Sequence, residues 1–217
     1  MTPTHKPPRP TRQHGDQTRE KILDAAEALF GAQGFAAVSL RDITSRAGVT
    51  LALASYHFGT KDNLFEAVVA RRAAVLCAER EARLDALDAP DTRAILDAFF
   101  GPLFDKARSG DPGWPAYFSL LARLGEGDEW IHLLSHHFDT TARRFVAALA
   151  RAIHGADEDG LNRGFAMTLH PMLAAVSRHA RVTSLTDGKV SADDLDAAEA
   201  ALLSFATAGL ERVARGA

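Results

Sequence analysis

The stretch Ser39-Leu-Arg-Asp-Ile-Thr-Ser-Arg-Ala-Gly-Val-Thr-Leu-Ala-Leu-Ala-Ser-Tyr-His-Phe58 decides the reading of the chain. Ser39 opens a helix, and Asp42, three residues on, is a shortened capping-box partner. The serine oxygen accepts from an orphan N–H of the first turn, while the carboxylate accepts from the serine's own. Leu40, Ile43 and Ala47 then face inward, and Gly48 ends the helix. Thr50 caps a second short helix, Leu51 to about His57, which Phe58-Gly59 closes. Two short helices around a turn at Ala47-Gly48-Val49 make a helix-turn-helix.

Outward from this stretch the periodicity stays helical. On the N-terminal side, from Asp16, Ile22, Ala25, Ala26, Leu29 and Phe30 recur at three- and four-residue spacing. Gly31 and Gly34 supply the stop, and Phe35 is placed to pack back on the finished helix. On the C-terminal side Thr60 caps a helix that runs without a breaker from Lys61 to about Leu87. Asp91-Thr92 caps the next, which carries Gly101-Pro102 inside it. A proline there lacks an N–H and clashes one turn back, so a kink or break is expected. A loop at Gly110–Pro115 leads to an aromatic segment. Further helices are expected over about Asp128–His154, about Glu158–Val182 and from Ser191 to about Val213, with a polar loop over Thr183–Val190. No strand-like alternation and no repeat period interrupts this, so the fold class is all-α.

Composition narrows the function. The 217 residues are 47% hydrophobic and 24% charged, with a net charge of −3 and a single cysteine, Cys77. One cysteine excludes an intramolecular disulfide and any multi-cysteine zinc site. No apolar run reaches the roughly 18–20 residues of a membrane span. The first fifteen residues hold Lys6, Arg9 and Arg12 and several prolines but no apolar core, unlike a secretory signal. A cytoplasmic protein with no membrane partner is expected. Charge is uneven: residues 1–70 sum to +1 and residues 71–217 to −4. A basic arm before a small compact domain suits a polyanion, and a disordered, Pro-rich, solvated tail is the other reading.

For duplex DNA, the second helix of such a motif brings its N-terminal side chains to base edges while neighbours pin phosphates. Thr50, Ala52, Ser55, Tyr56 and His57 are small or hydrogen-bonding, and Leu53 offers apolar contact to thymine methyls. Lys61, at the start of the next helix, joins an ammonium to free backbone N–H groups and is a phosphate candidate. Arg41 is a second.

Thr18-Arg-Glu-Lys-Ile-Leu-Asp-Ala-Ala-Glu-Ala-Leu-Phe, Ser39-Leu-Arg-Asp-Ile, Ala47-Gly-Val and Tyr56-His-Phe-Gly-Thr-Lys-Asp-Asn-Leu-Phe together resemble the TetR family of bacterial transcriptional regulators. The resemblance implies a three-helix DNA-binding domain, a long connecting helix and a helical C-terminal domain that dimerises and holds an inducer pocket. It implies a repressor that leaves a palindromic operator when a small, apolar ligand binds. It places DNA contacts at Arg41, Thr50, Ala52, Leu53, Ser55, Tyr56, His57 and Lys61. On this basis residues 1–15 are the disordered arm, 16–60 the DNA-binding domain and 61–217 the ligand-binding and dimerisation domain. Leu51-Ala-Leu-Ala-Ser-Tyr-His-Phe-Gly-Thr-Lys is also similar to a subgroup with members that sense fatty acids or their coenzyme A esters. Ser55 stands where that subgroup often has Asn.

For the ligand, the aromatic-rich middle and its surroundings supply candidates: Phe99, Phe100, Phe104, Trp114, Phe118, Trp130, Phe138, Met167 and His170. Each could equally be core, but as a set beside Gly101-Pro102 they favour a cavity. The last two helices carry small residues, among them Ala174-Ala175, Ala200-Ala201 and Ala208-Gly209, which permit close helix approach within a chain or across a two-fold axis. Two other readings stay open. His132 and His136, one turn apart, form a two-imidazole face for zinc or nickel, with Asp139 or His170 as further ligands; a helical interaction protein without DNA activity is the other. No hydrolase or phosphate-loop motif is present, so no enzyme and no cofactor are expected.

Overall fold

The computed structural model describes residues 12–216, in which every regular element is helical. In order these are α1 (Arg12–Gln33), α2 (Leu40–Ala47), α3 (Leu51–Phe58), α4 (Lys61–Asp85), α5 (Thr92–Arg108), α6 (Gly113–Leu124), α7 (Ile131–Ala152), α8 (Glu158–Val176), α9 (Arg181–Leu185) and α10 (Leu195–Ala214). A 3-10 turn at Asp128–Trp130 precedes α7. Two compact units meet in sequence at Val68 and Val69. Most of the expected arm, residues 1–11, lies outside the described residues. Its last four residues belong to α1, where the Thr18 hydroxyl donates to the His14 carbonyl at 2.8 Å.

Local signals build the first unit. Ser39 and Asp42 form the complete capping box, with the Ser39 N–H donating to Asp42 Oδ2 at 2.9 Å. The serine's hydrogen bonds hold the Asp42 carboxyl below its ordinary pKa, because they favour the charged form. Gly48 ends α2 with φ at 66°, a left-handed conformation that costs glycine nothing. Ile22, Leu23, Phe30, Ile43 and Phe65 are fully buried. Phe65 meets Phe30 edge-on at 5.0 Å and Phe35 at 4.8 Å, so Phe35 closes the core from beyond the end of α1. Each such side chain contributes about 1.5–3 kcal/mol of burial.

In the second unit α5 lies against α6, α7, α8 and α10. Phe99 is its hub, with ring centroids 5.0 Å from both Phe145 and Phe165. Of the expected kink or break, the break does not occur: α5 continues through Pro102, itself buried. An interior proline costs ~3 kcal/mol, which packing of this buried helix on four neighbours outweighs. The Tyr117 hydroxyl donates to the Val69 carbonyl at 2.9 Å, satisfying a buried phenol. Gly160 and Gly164 let α8 run close to α10; a Cβ on Gly164 would sit 2.6 Å from Leu210 Cδ1. The helix expected to reach residue 182 stops at Val176, because Arg178 turns left-handed at φ 55°. The short α9 then occupies part of the expected loop, tied down by the Ala192 N–H donating to Thr183 Oγ1 at 2.8 Å.

Candidate nucleic-acid interface and ligand cavity

Helix α3 buries only Ala54 and Phe58 and turns the rest of its surface to solvent. Tyr56 is 82% exposed, and Leu51, Ala52, Leu53 and Ser55 are exposed beside it. Thr50 is exposed as the cap, its hydroxyl accepting from the Leu53 N–H. Leu51, Leu53 and Tyr56 thus leave apolar area in water side by side on one short helix. His57 is half-buried, edge-on to Tyr56 at 5.2 Å. Arg41 is exposed on α2.

Lys61 is placed differently from the phosphate role expected for it. Its Nζ donates to the carbonyls of Phe35 and Val38 at 3.0 and 2.9 Å and lies 4.0 Å from the Phe35 ring centre. Two of the three ammonium donors are thus spent on the loop between α1 and α2, so Lys61 is a clamp that fixes where α2 begins.

The second unit contains a cavity of about 430 Å³, within the range of about 300–1,000 Å³ common for small-molecule sites. Phe99 and Leu103 of α5, Leu121 and Leu124 of α6, and Leu134 and Phe138 of α7 form much of its wall. Leu169, His170, Met172 and Leu173 of α8 add to it, as do Leu76 and Arg80 of α4. Of the nine ligand candidates, Phe99, Phe138 and His170 reach this cavity. Phe100, Phe104, Trp114 and Phe118 are buried too, at 5% exposure or less, but lie outside its lining. Met167 points outward at 68% exposure, and Trp130 stacks on His132 at 6.5 Å. Aromatic content did not distinguish cavity wall from core.

Arg80 escaped the sequence reading. It is only 4% exposed, its Nε donates to the Phe99 carbonyl at 2.9 Å, and its guanidinium lies 3.8 Å from the Phe99 ring centre. Burial pushes its pKa down to about 10, which leaves it cationic at neutral pH. A signal was available: Val69, Ala73 and Leu76, each buried, form a helical stripe on which Arg80 is the next position.

The histidine face is not joined by its expected partners. His132 and His136 are exposed, Asp139 pairs with Arg143 at 3.1 Å, and His170 Nε2 lies 2.9 Å from the Gly125 carbonyl. Among the described residues no group of three ligating side chains contains both His132 and His136. No helix among them is long and apolar enough to cross a membrane.

Comparison with known proteins agrees with this geometry. Residues 22–68 match the family model described as bacterial regulatory proteins, tetR family. Residues 97–209, more than half the chain, match the tetracyclin repressor-like C-terminal domain. The chain is similar to the HTH-type transcriptional regulator AcrR of Shigella flexneri, 42% identical over 60 residues, or 28% of each chain. Among solved structures it is similar to SmeT, the repressor of the Stenotrophomonas maltophilia multidrug efflux pump SmeDEF. There the TM-score is 0.60 and identity 22%, over 88% of both chains. SCO4454, a TetR-family regulator from Streptomyces coelicolor, aligns with a TM-score of 0.63 and 20% identity, over 92% of this chain and 97% of its own. These two structural likenesses show a shared fold.

Proposed function

The chain belongs to the TetR family of bacterial transcriptional regulators, and from that premise we propose that it is a repressor whose operator is released when a small molecule with an apolar body occupies the cavity of the second unit. Family membership makes it a DNA-binding regulator and not an enzyme. The observation that carries the DNA half of the proposal is the exposed face of α3, with Tyr56 at its crest. In this reading Thr50, Ala52, Leu53, Ser55, Tyr56 and His57 meet the major groove, and Arg41 meets the backbone. Lys61 acts indirectly, by holding α2 in place.

The protein acts in the cytoplasm as a homodimer on a palindromic site. Supporting this are Met167 of α8 and Phe205 of α10, exposed at 68% and 72% among small neighbours such as Ala174, Ala201 and Ala208. A second copy would cover them. Two reading heads then need half-sites about one helical turn, or a multiple of it, apart. Release follows only if the ligand prefers the conformation that binds DNA less well. The acyl class of ligand is favoured by the recognition-helix similarity and by the largely apolar wall.

The test is fluorescence anisotropy of the protein on the DNA flanking its own gene, titrated with fatty acids and acyl coenzyme A. A complex that weakens steeply with salt and dissolves on ligand addition is expected. Absence of any complex overturns the regulator reading at this DNA, and a complex indifferent to both ligands overturns the acyl assignment.

A further inference from the structure

The cavity is apolar along most of its wall yet carries one cation at its buried end. Leu76, Arg80, Phe99 and Leu103 are each no more than 4% exposed, whereas Glu126, Gly127, Asp128 and Ile131 are exposed and form the mouth. A buried guanidinium is costly unless paired and hydrogen-bonded. Arg80 has little such support: a carbonyl for Nε, the weakly accepting Met172 sulfur 3.5 Å from Nη2, and the face of Phe99. Among the described residues no carboxylate lies within ion-pair distance of it. The cation therefore borders the cavity with donor capacity to spare.

We propose that Arg80 is the anion subsite of this cavity, and that the ligand is a monocarboxylate with an apolar body, bound with its head inward against the guanidinium. The inference rests on the ligand-responsive reading above and deepens it. A planar carboxylate matches the guanidinium fork and forms charge-assisted hydrogen bonds. It also supplies the missing counter-charge in a low-dielectric setting, where that interaction is strong. The apolar body then lies along Leu103, Leu121, Leu134 and Phe138. The mouth argues for the same orientation. Glu126 and Asp128 are exposed acids there, so a polyanionic group such as coenzyme A would meet like charge on leaving the cavity. A thioester at the inner end would leave Arg80 unpaired. The site thus selects free acids over their coenzyme A esters.

The experiment is isothermal titration calorimetry of the full chain at neutral pH with octanoate and decanoate, each against its primary amide, a neutral group of the same shape. The carboxylates are expected to bind about tenfold or more tightly than the amides. Arg80→Met is expected to equalise the pair, and Arg80→Lys to keep part of the preference. Should Arg80→Met fail to fold, as judged by its melting curve, the wild-type acid–amide comparison decides alone. Equal affinity for acid and amide, no binding of either acid, or a preference that survives in folded Arg80→Met overturns the anion subsite. Operator anisotropy with the same four probes separates the two levels. Amides that bind and release DNA as well as the acids do sink the subsite and leave the inducer-released repressor standing. Acids that bind preferentially without disturbing the operator complex support the subsite and sink the inducer role.

Discussion

Tyr56 and Lys61 lie five residues apart and invite opposite experiments. Tyr56 spends 82% of its surface in solvent and touches the His57 ring beside it, so Tyr56→Ala is expected to leave the melting temperature nearly unchanged. Loss of a groove contact costs about 1–3 kcal/mol, or roughly 5- to 150-fold in operator affinity. Lys61 inverts this pattern. Lys61→Met removes two hydrogen bonds to carbonyls and the contact over Phe35, a loss of about 1–3 kcal/mol in stability. Anisotropy and thermal melts on both variants check the pair. Wild-type affinity in Tyr56→Ala would remove α3 from the groove, and an unaltered melt in Lys61→Met would remove the clamp. Sequence alone pointed to Lys61 as a phosphate ligand because a lysine at a helix start reads that way. Only the path of the loop from Phe35 to Val38 shows its ammonium engaged elsewhere.

Helices were legible in proportion to how local their causes are. The capping box at Ser39, the left-handed Gly48 and the caps at Thr50 and Asp91 act within a few residues, and they set α2, α3 and α5 in the sequence as in the structure. The break that Pro102 suggested does not occur, because its local penalty is outweighed by burial among four other helices. The cavity was legible only in part: Phe99 reaches it while its neighbour Phe100 packs elsewhere, a division set by packing that no periodicity resolves. Close approach of α8 to α10 yields a prediction at this scale. A methyl group on Gly164 meets the flexible tip of Leu210, but on Gly160 it meets the Val213 backbone carbonyl. Gly164→Ala is expected to be near neutral, since the gain in helix propensity of ~1 kcal/mol offsets a small shift of a side chain. Gly160→Ala forces main chain apart and costs about 1–3 kcal/mol. Urea unfolding distinguishes them, and equal midpoints would contradict this packing.

For the molecule as a whole, acid is the informative stress. Asp111 accepts from Arg72 at 3.0 Å, and that hydrogen bond first, with help from the Gly113 N–H, holds its carboxyl below the ordinary value. Asp42 is lowered likewise by Ser39. A depressed carboxyl contributes stability in full above its unfolded pKa and loses it as pH falls through the folded one. Melting temperature is therefore expected to hold from neutral pH down to about 4 and to fall below that. Asp111→Asn should shallow the acid limb of the melting curve, and an unchanged limb would discount the Arg72 pair. The chain's one thiol has a use of another kind. Cys77 on α4 is half-buried, its Sγ 3.4 Å from the His137 carbonyl of α7, one residue from Leu76 on one helix and from Phe138 on the other, both in the cavity wall. Because part of the thiol is sheltered against α7, parting of those helices is expected to speed its reaction with a thiol reagent, so its labelling rate is a stopwatch for local breathing. With no competing cysteine to mask it, that clock should slow in step with cavity filling, turning an equilibrium occupancy into a lifetime.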